Sequence, residues 1–193
     1  MQRLAAVMLV GLLLLPSICF AQSRSPYAGF EARTVKALSD QQISDLRSGL
    51  GMSLALTAAL NGYPGPRHTL ELASELNLSN AQHAKVEELF ASMTVESVAI
   101  GERLIAQEAE LAGQFARKTV TPESLIASTQ AIGATQADLR ATHLKYHLLT
   151  LDVLTPTQTR RYLEIRGYTA SQMHNPIFHG DKSHHDSAVT KQP

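Results

Sequence analysis

The chain has 193 residues, in which 17 Lys and Arg residues balance 17 Asp and Glu residues, so its formal net charge at pH 7 is zero. This balance argues against nucleic acid and against steady attraction to an anionic membrane, since both require an excess of positive charge. A single cysteine, Cys19, excludes an intramolecular disulfide. The fold must therefore be stabilised by helix packing rather than by covalent cross-links.

Residues 1–21 have the pattern of a secretory signal peptide. Arg3 gives a positive start, Leu4 to Leu15 form an uncharged apolar run, and Cys19-Phe20-Ala21 is a small-x-Ala cleavage site. The apolar run is shorter than the roughly 20 residues that a membrane-spanning helix needs. Ile18 also disfavours lipoprotein processing at Cys19. We predict cleavage after Ala21, export, and no stable insertion in the membrane.

The next segment predicts an arm, a helix and a break. Residues 22–37 contain Ser, Pro and Gly and predict an extended N-terminal arm. From Ser39 to Asn61, apolar residues recur at helical spacing, although Gly49 and Gly51 weaken the pattern. The sequence Asn-Gly-Tyr-Pro-Gly-Pro at residues 61–66 must end this helix. A short helix over residues 67–76 follows.

Two long helices form the predicted centre of the domain. Apolar residues at nearly heptad spacing predict a helix from Asn80 to Lys118, and Thr121-Pro122-Glu123 starts a second one with a hydroxyl cap, a proline and an acid. The short connection requires the two helices to run antiparallel. A final helix runs from Pro156 to about Tyr168. The predicted class is all-α: an elongated antiparallel long-helix hairpin with flanking helices, in total four main helices and one short one.

One short phrase precedes three of the predicted helices. Leucine, a hydroxyl residue, two variable residues and glutamine occur at Leu78-Ser79 with Gln82, at Leu154-Thr155 with Gln158 and, less securely, at Leu38-Ser39 with Gln42. The hydroxyl can accept from the backbone N–H three residues later, while the glutamine reaches back to the N–H of the capping residue. The phrase therefore predicts a capping box at each helix start.

The last two copies closely match the LTxxQ motif, and residues 38–168 resemble the Spy/CpxP family of small helical proteins of the bacterial cell envelope. The resemblance implies a periplasmic homodimer that acts as an ATP-independent chaperone for unfolded or partly folded proteins and requires no cofactor. It also implies that the motif residues fix helix starts and packing rather than perform catalysis. These residues are Leu78, Ser79, Gln82, Leu154, Thr155 and Gln158, with Ser79 in place of the usual threonine.

The family also has a branch that resembles periplasmic heavy-metal sensors and zinc resistance-associated proteins. His143 and His147 are four residues apart, so both imidazoles share one helix face and can hold Zn²⁺, Cu²⁺ or Ni²⁺ if further ligands converge. In the antiparallel hairpin, Glu96 lies roughly level with His143 and is the candidate third ligand. The other interpretation is structural: the histidines form hydrogen bonds in a core or interface, and Glu96 forms an ion pair.

Residues 169–193 predict a disordered tail that contains several histidines. His179, His184 and His185 are the candidate metal ligands here, because histidine-rich tails can collect divalent ions weakly. In the other interpretation, these solvated histidines have no role.

Enzyme signatures do not occur in the sequence: it has no GxSxG motif, no P-loop and no GxGxxG motif. We therefore predict a protein that is not an enzyme. Two functions remain: a periplasmic chaperone or envelope stress-response protein that binds non-native polypeptides, and a periplasmic heavy-metal-binding sensor or resistance protein.

Overall fold

A computed structural model describes residues 25–168, which belong to two compact units divided between Ala32 and Arg33. The first unit contains a short 3-10 helix, Phe30–Ala32, and the rings of Tyr27 and Phe30 pack edge to face with their centroids 5.9 Å apart. The second unit contains every α-helix of the described residues. No β-strand occurs in residues 25–168.

The second unit is built from six α-helices: α1 Asp40–Arg47, α2 Leu56–Leu60, α3 Pro66–Glu71, α4 Asn80–Ala116, α5 Pro122–Val153 and α6 Pro156–Ile165. At about 1.5 Å per residue, α4 and α5 are about 55 and about 48 Å long. They run antiparallel, because Arg103 pairs with Asp138 while the earlier Glu96 pairs with the later Lys145. The predicted all-α fold with two long helices packed together is confirmed.

Helices that cross a membrane are both long and strongly apolar. Between residues 25 and 168, no helix meets both conditions.

The number of helices was predicted wrongly, because the single helix expected from Ser39 to Asn61 is broken. α1 ends at Arg47 and α2 begins only at Leu56. Gly49, Met52 and Ser53 have φ angles of +67°, +40° and +68°, which a right-handed helix does not accommodate. Residues 25–168 therefore contain two short helices where the apolar spacing predicted one, and six α-helices instead of five.

One residue of the predicted N-terminal arm belongs to the core of the second unit. Val35 is only 2% exposed, and with Leu38 it belongs to a buried apolar cluster that includes Leu46 of α1. The other members come from the two long helices: Leu104, Ile105, Ile132 and Leu139. Val35 of the predicted arm thus lies in the core of the second unit, whereas Thr34, Lys36 and Ala37 beside it are exposed.

A second buried cluster lies towards the open end of the hairpin, away from the turn, where Leu89 and Met93 of α4 contact Tyr146 of α5. Buried hydroxyl residues lie between the apolar positions. One of them, Thr150, donates to the carbonyl of Tyr146 at 2.7 Å. Towards the turn between α4 and α5 the apolar pattern continues but the burial does not. Phe115, Leu125 and Ile126 are exposed there.

Candidate functional site

Capping boxes stand at the three glutamine phrases of the sequence. Ser39 with Gln42, Ser79 with Gln82 and Thr155 with Gln158 each have the reciprocal pair of hydrogen bonds. In the second box, the Gln82 backbone N–H donates to the Ser79 hydroxyl at 3.2 Å, and the Ser79 N–H donates to Gln82 Oε1 at 3.1 Å. The N-termini of α1, α4 and α6 are therefore fixed by their own sequences.

The glutamines of the second and third boxes also contact each other. Gln82 Nε2 donates to Gln158 Oε1 at 2.9 Å, and Gln158 Nε2 donates to Gln82 Oε1 at 3.0 Å. Each amide also donates to a carbonyl next to the opposite phrase: Gln82 to Val153 at 2.9 Å, and Gln158 to Asn77 at 3.5 Å. This glutamine pair joins the start of α4, the end of α5 and the start of α6.

The leucines that open the two phrases are both shielded from solvent to some degree. Leu154 is buried and Leu78 is half-buried. The sequence indicated two separate capping boxes, and the contact between them was missed. The signal that could have revealed it is the repetition of one phrase, once before the first long helix and once after the second. An antiparallel hairpin brings these two places together at its open end.

His143 and His147 are buried on α5, at 3% and 9% exposure. His147 Nδ1 lies 2.6 Å from the carbonyl oxygen of Tyr63, so this nitrogen carries a proton and donates. Within the described chain, His143 Nε2 is buried and has no hydrogen-bond partner. Burial lowers the pKa of both imidazoles, and the neighbouring His147 lowers the pKa of His143 further. Both rings are therefore neutral near pH 7.

Glu96 contacts other partners than the two histidines. Lys145 Nζ donates to its carboxylate at 2.6 Å and the Tyr146 hydroxyl donates at 2.8 Å. Both hydrogen bonds lower the pKa of Glu96, and the one from Lys145 has the larger effect. The expected third metal ligand is thus held in an ion pair, which is the other interpretation that the sequence left open.

Residues 25–168 contain no group of three or more His, Cys, Asp or Glu side chains that could hold a metal ion. The set of His143, His147 and Glu96 is therefore not assembled as a ligand cluster there. The predicted tail ligands His179, His184 and His185 lie outside the described residues.

The two histidines line a cavity of about 350 Å³ that sequence reasoning missed. Its walls come from the link between α1 and α2, from α2 itself, from the start of α3 and from the hairpin. Glycines let the backbone approach the imidazole rings: a Cβ on Gly65 would lie 2.6 Å from His147 Nε2, and one on Gly51 would lie 3.4 Å from His143 Nδ1. The clustered glycines of residues 49–65 were the signal for this close approach.

The cavity wall combines apolar and cationic groups. Phe90 and Met93 of α4 and Leu56 of α2 provide apolar surface. Arg67 and His68 of α3 also line it, and both contact the carboxylate of Glu71 on the same helix, at 3.1 and 2.7 Å. The last described residues, Arg166 and Tyr168, complete the lining.

Large apolar side chains of the second unit are exposed at three places. One is the region of α2, one is the turn end of the hairpin, and one is near the Glu96–Lys145 ion pair. The region of α2 exposes Met52, Leu56, Leu60 and Tyr63. The turn end of the hairpin exposes Phe115, Leu125 and Ile126, and the surface near the ion pair exposes Val95, Leu148 and Leu149.

Together the fold and these sites define an all-helical protein built on a capped antiparallel hairpin with exposed apolar surface. Comparisons with protein-family models, curated proteins and solved structures give no match for this chain. The resemblance of residues 38–168 to the Spy/CpxP family therefore stays a prediction from the motif.

Proposed function

We propose that this protein is a periplasmic, ATP-independent chaperone or envelope stress-response protein that binds non-native polypeptides. The observation that supports the proposal is the exposure of large apolar side chains along the hairpin. Val95 is 72% exposed, Ile126 57% and Phe115 56%. Scattered exposed apolar residues are normal in soluble proteins, but groups of them are typical of interaction sites.

Charges beside these groups suit a first, loose encounter. Glu96, the next residue after Val95, pairs with Lys145, and Arg117, two residues after Phe115, pairs with Glu110, all with exposed side chains. Exposed ion pairs of this kind contribute only about 0–1 kcal/mol to folding, so their charges are available to attract a partner. Attraction between opposite charges speeds the encounter, and short-range apolar contact then holds the polypeptide. Such a surface tolerates many sequences.

The same groups suit a second copy of the chain. An apolar patch on a long helix can be covered by the equivalent patch of another protomer related by a twofold axis. A homodimer therefore belongs to the proposal. Its formation would order the two hairpins and decide how much apolar surface remains for a client.

Suppression of aggregation tests the proposed function. A chemically denatured client protein is diluted into buffer with the mature chain, residues 22–193, in the absence of ATP and of added metal. We expect light scattering to fall in proportion to the added protein. If the client aggregates equally with and without a molar excess of the mature chain, the proposal is wrong.

A heavy-metal-binding sensor or resistance protein is the alternative function. The neutral state of His143 and His147 is the state that metal coordination requires, and this supports it. Against it, Glu96 is engaged by Lys145 and Tyr146, and residues 25–168 hold no group of three or more ligand side chains. The contacts of Glu96 therefore argue against a metal site formed by these three residues.

A further inference from the structure

The chain leaves the described part of the structure at the wall of the cavity. Arg166 and Tyr168 both line the cavity, and the Arg166 guanidinium lies 5.7 Å from the centre of the Tyr168 ring. Residues 169–193 continue from this point. Whatever follows Tyr168 is therefore tethered next to the opening.

The sequence that follows Tyr168 contains one apolar segment, Met173–Phe178, with three large apolar residues: Met173, Ile177 and Phe178. Residues 169–180 contain no Lys, Arg, Asp or Glu. Entry of this segment into the cavity would therefore bury no ionised side chain of the segment itself, which is the costly step in burying a polypeptide. Beyond it, Val189 is the only other large apolar residue of the tail.

The reach and the size are compatible. From Tyr168 to Met173 an extended chain spans at most about 18 Å, at roughly 3.3–3.6 Å per residue. The cavity, at about 350 Å³, lies near the lower end of the roughly 300–1,000 Å³ that binding cavities occupy. It therefore has room for one or two bulky side chains rather than for a folded element.

The tether favours this segment over other occupants. A segment that is covalently joined within a few residues of a site has an effective concentration on the order of millimolar there. A second copy of the chain, or a free peptide, would have to reach that concentration in solution to compete. Intramolecular occupation is thus favoured even when the contacts are modest.

We propose that the segment Met173–Phe178 of this chain occupies the cavity, with Ile177 and Phe178 placed against Leu56, Phe90 and Met93. This inference does not rest on the proposed chaperone function. It gives the tail a defined role, because the segment would bury Leu56, which is 49% exposed. Displacement of the segment would expose that surface.

Methionine-methyl NMR tests the inference, because the mature chain has only three methionines: Met52 and Met93 on the cavity wall and Met173 in the segment. The tail variant carries Ile177→Asp and Phe178→Asp, and its control carries Ala188→Asp and Val189→Asp farther along the same tail. We expect the tail variant to shift the Met93 methyl signal and to move the Met173 signal to the position of a solvated methionine. The control should leave both unchanged.

A matched pair on the cavity side makes the test independent of the tail sequence. Leu56→Asp changes the cavity wall, whereas Leu60→Asp changes a residue of similar exposure on the same helix that does not line the cavity. We expect only Leu56→Asp to release Met173. Identical Met93 and Met173 signals in the tail variant and the parent would overturn the inference. So would signals that change with protein concentration, since the tail would then enter the cavity of another copy.

Discussion

Gln82 and Gln158 donate to each other's side-chain oxygens, at 2.9 and 3.0 Å, while each also caps its own helix. Each glutamine thus has two roles: it caps the start of its own helix, and it forms hydrogen bonds that join this start to a neighbouring helix end or helix start. The pair is partly buried, and hydrogen bonds are electrostatically stronger there than in water because the local dielectric constant is lower.

Removal of the Gln158 amide should destabilise the fold more than removal of an isolated capping glutamine. Gln158→Ala loses the reach-back to Thr155 and the bonds to Gln82 and to the Leu76 carbonyl, so we expect about 2–3 kcal/mol less free energy of unfolding. Gln42→Ala is the control, since the Gln42 side chain bonds within its own box, and it should cost about 1 kcal/mol.

Urea denaturation of the parent protein, of Gln82→Ala, of Gln158→Ala and of the variant that carries both substitutions measures the coupling. A double-mutant cycle should give an interaction energy of about 1–2 kcal/mol between the two glutamines. Additive effects would contradict the role given to the pair.

The folded protein should lose stability as the pH falls below about 6.5. Burial lowers the pKa of His143 and His147 in the folded state, so the unfolded chain binds protons first. Their contribution is complete above the ordinary histidine pKa and is lost as the pH falls towards the folded pKa values. Each group can contribute at most about 1.4 kcal/mol per pH unit. Denaturation midpoints between pH 5 and 8 measure this loss.

His143→Gln should flatten that pH dependence, because the variant lacks the buried group that resists protonation. His83→Gln, on the exposed surface of α4, is the matched control. A dependence that is the same in His143→Gln and in the parent protein would assign the pH effect to other groups.

Gly65→Ala should destabilise the cavity wall. The added Cβ would lie 2.6 Å from His147 Nε2, so the imidazole must move and its bond to the Tyr63 carbonyl must weaken. We expect a cost of about 1–3 kcal/mol, as for other substitutions that overfill a packed site. Gly133→Ala is the control, since a Cβ there meets nothing within 4 Å in the middle of α5, and it should stabilise by about 0.5–1 kcal/mol. Thermal denaturation distinguishes the two, and equal effects would contradict the contact.

Zinc titration should separate the alternative function from the favoured one. Because Glu96 is held by Lys145 and Tyr146, we expect His143→Ala with His147→Ala to leave the zinc affinity of the mature chain unchanged in calorimetry. Tight binding of one ion per chain that this double variant abolishes would instead support a metal sensor.

The sequence predicted the parts of the fold that depend on local chemistry. The pairs Ser79 with Gln82 and Thr155 with Gln158 indicated helix starts, and the apolar spacing predicted the two long helices. It failed where tertiary contact decides. The apolar spacing around Gly49 is helical, but the backbone turns to pack against Thr94 and His143. The partners of Glu96 and the contact between the two glutamines likewise depend on how the helices align.

Direct binding of an unfolded client tests the central claim. A fluorescently labelled, permanently unfolded protein is titrated with the mature chain and with Phe115→Ser plus Ile126→Ser, and fluorescence anisotropy is measured. Each exposed apolar side chain that a client buries contributes up to about 1.5–3 kcal/mol, so we predict at least about tenfold weaker binding by the variant. The control, Ala127→Ser plus Gln130→Ser on the exposed surface of α5, should bind like the parent. Equal affinity of all three proteins, or no binding by the parent, would contradict the account.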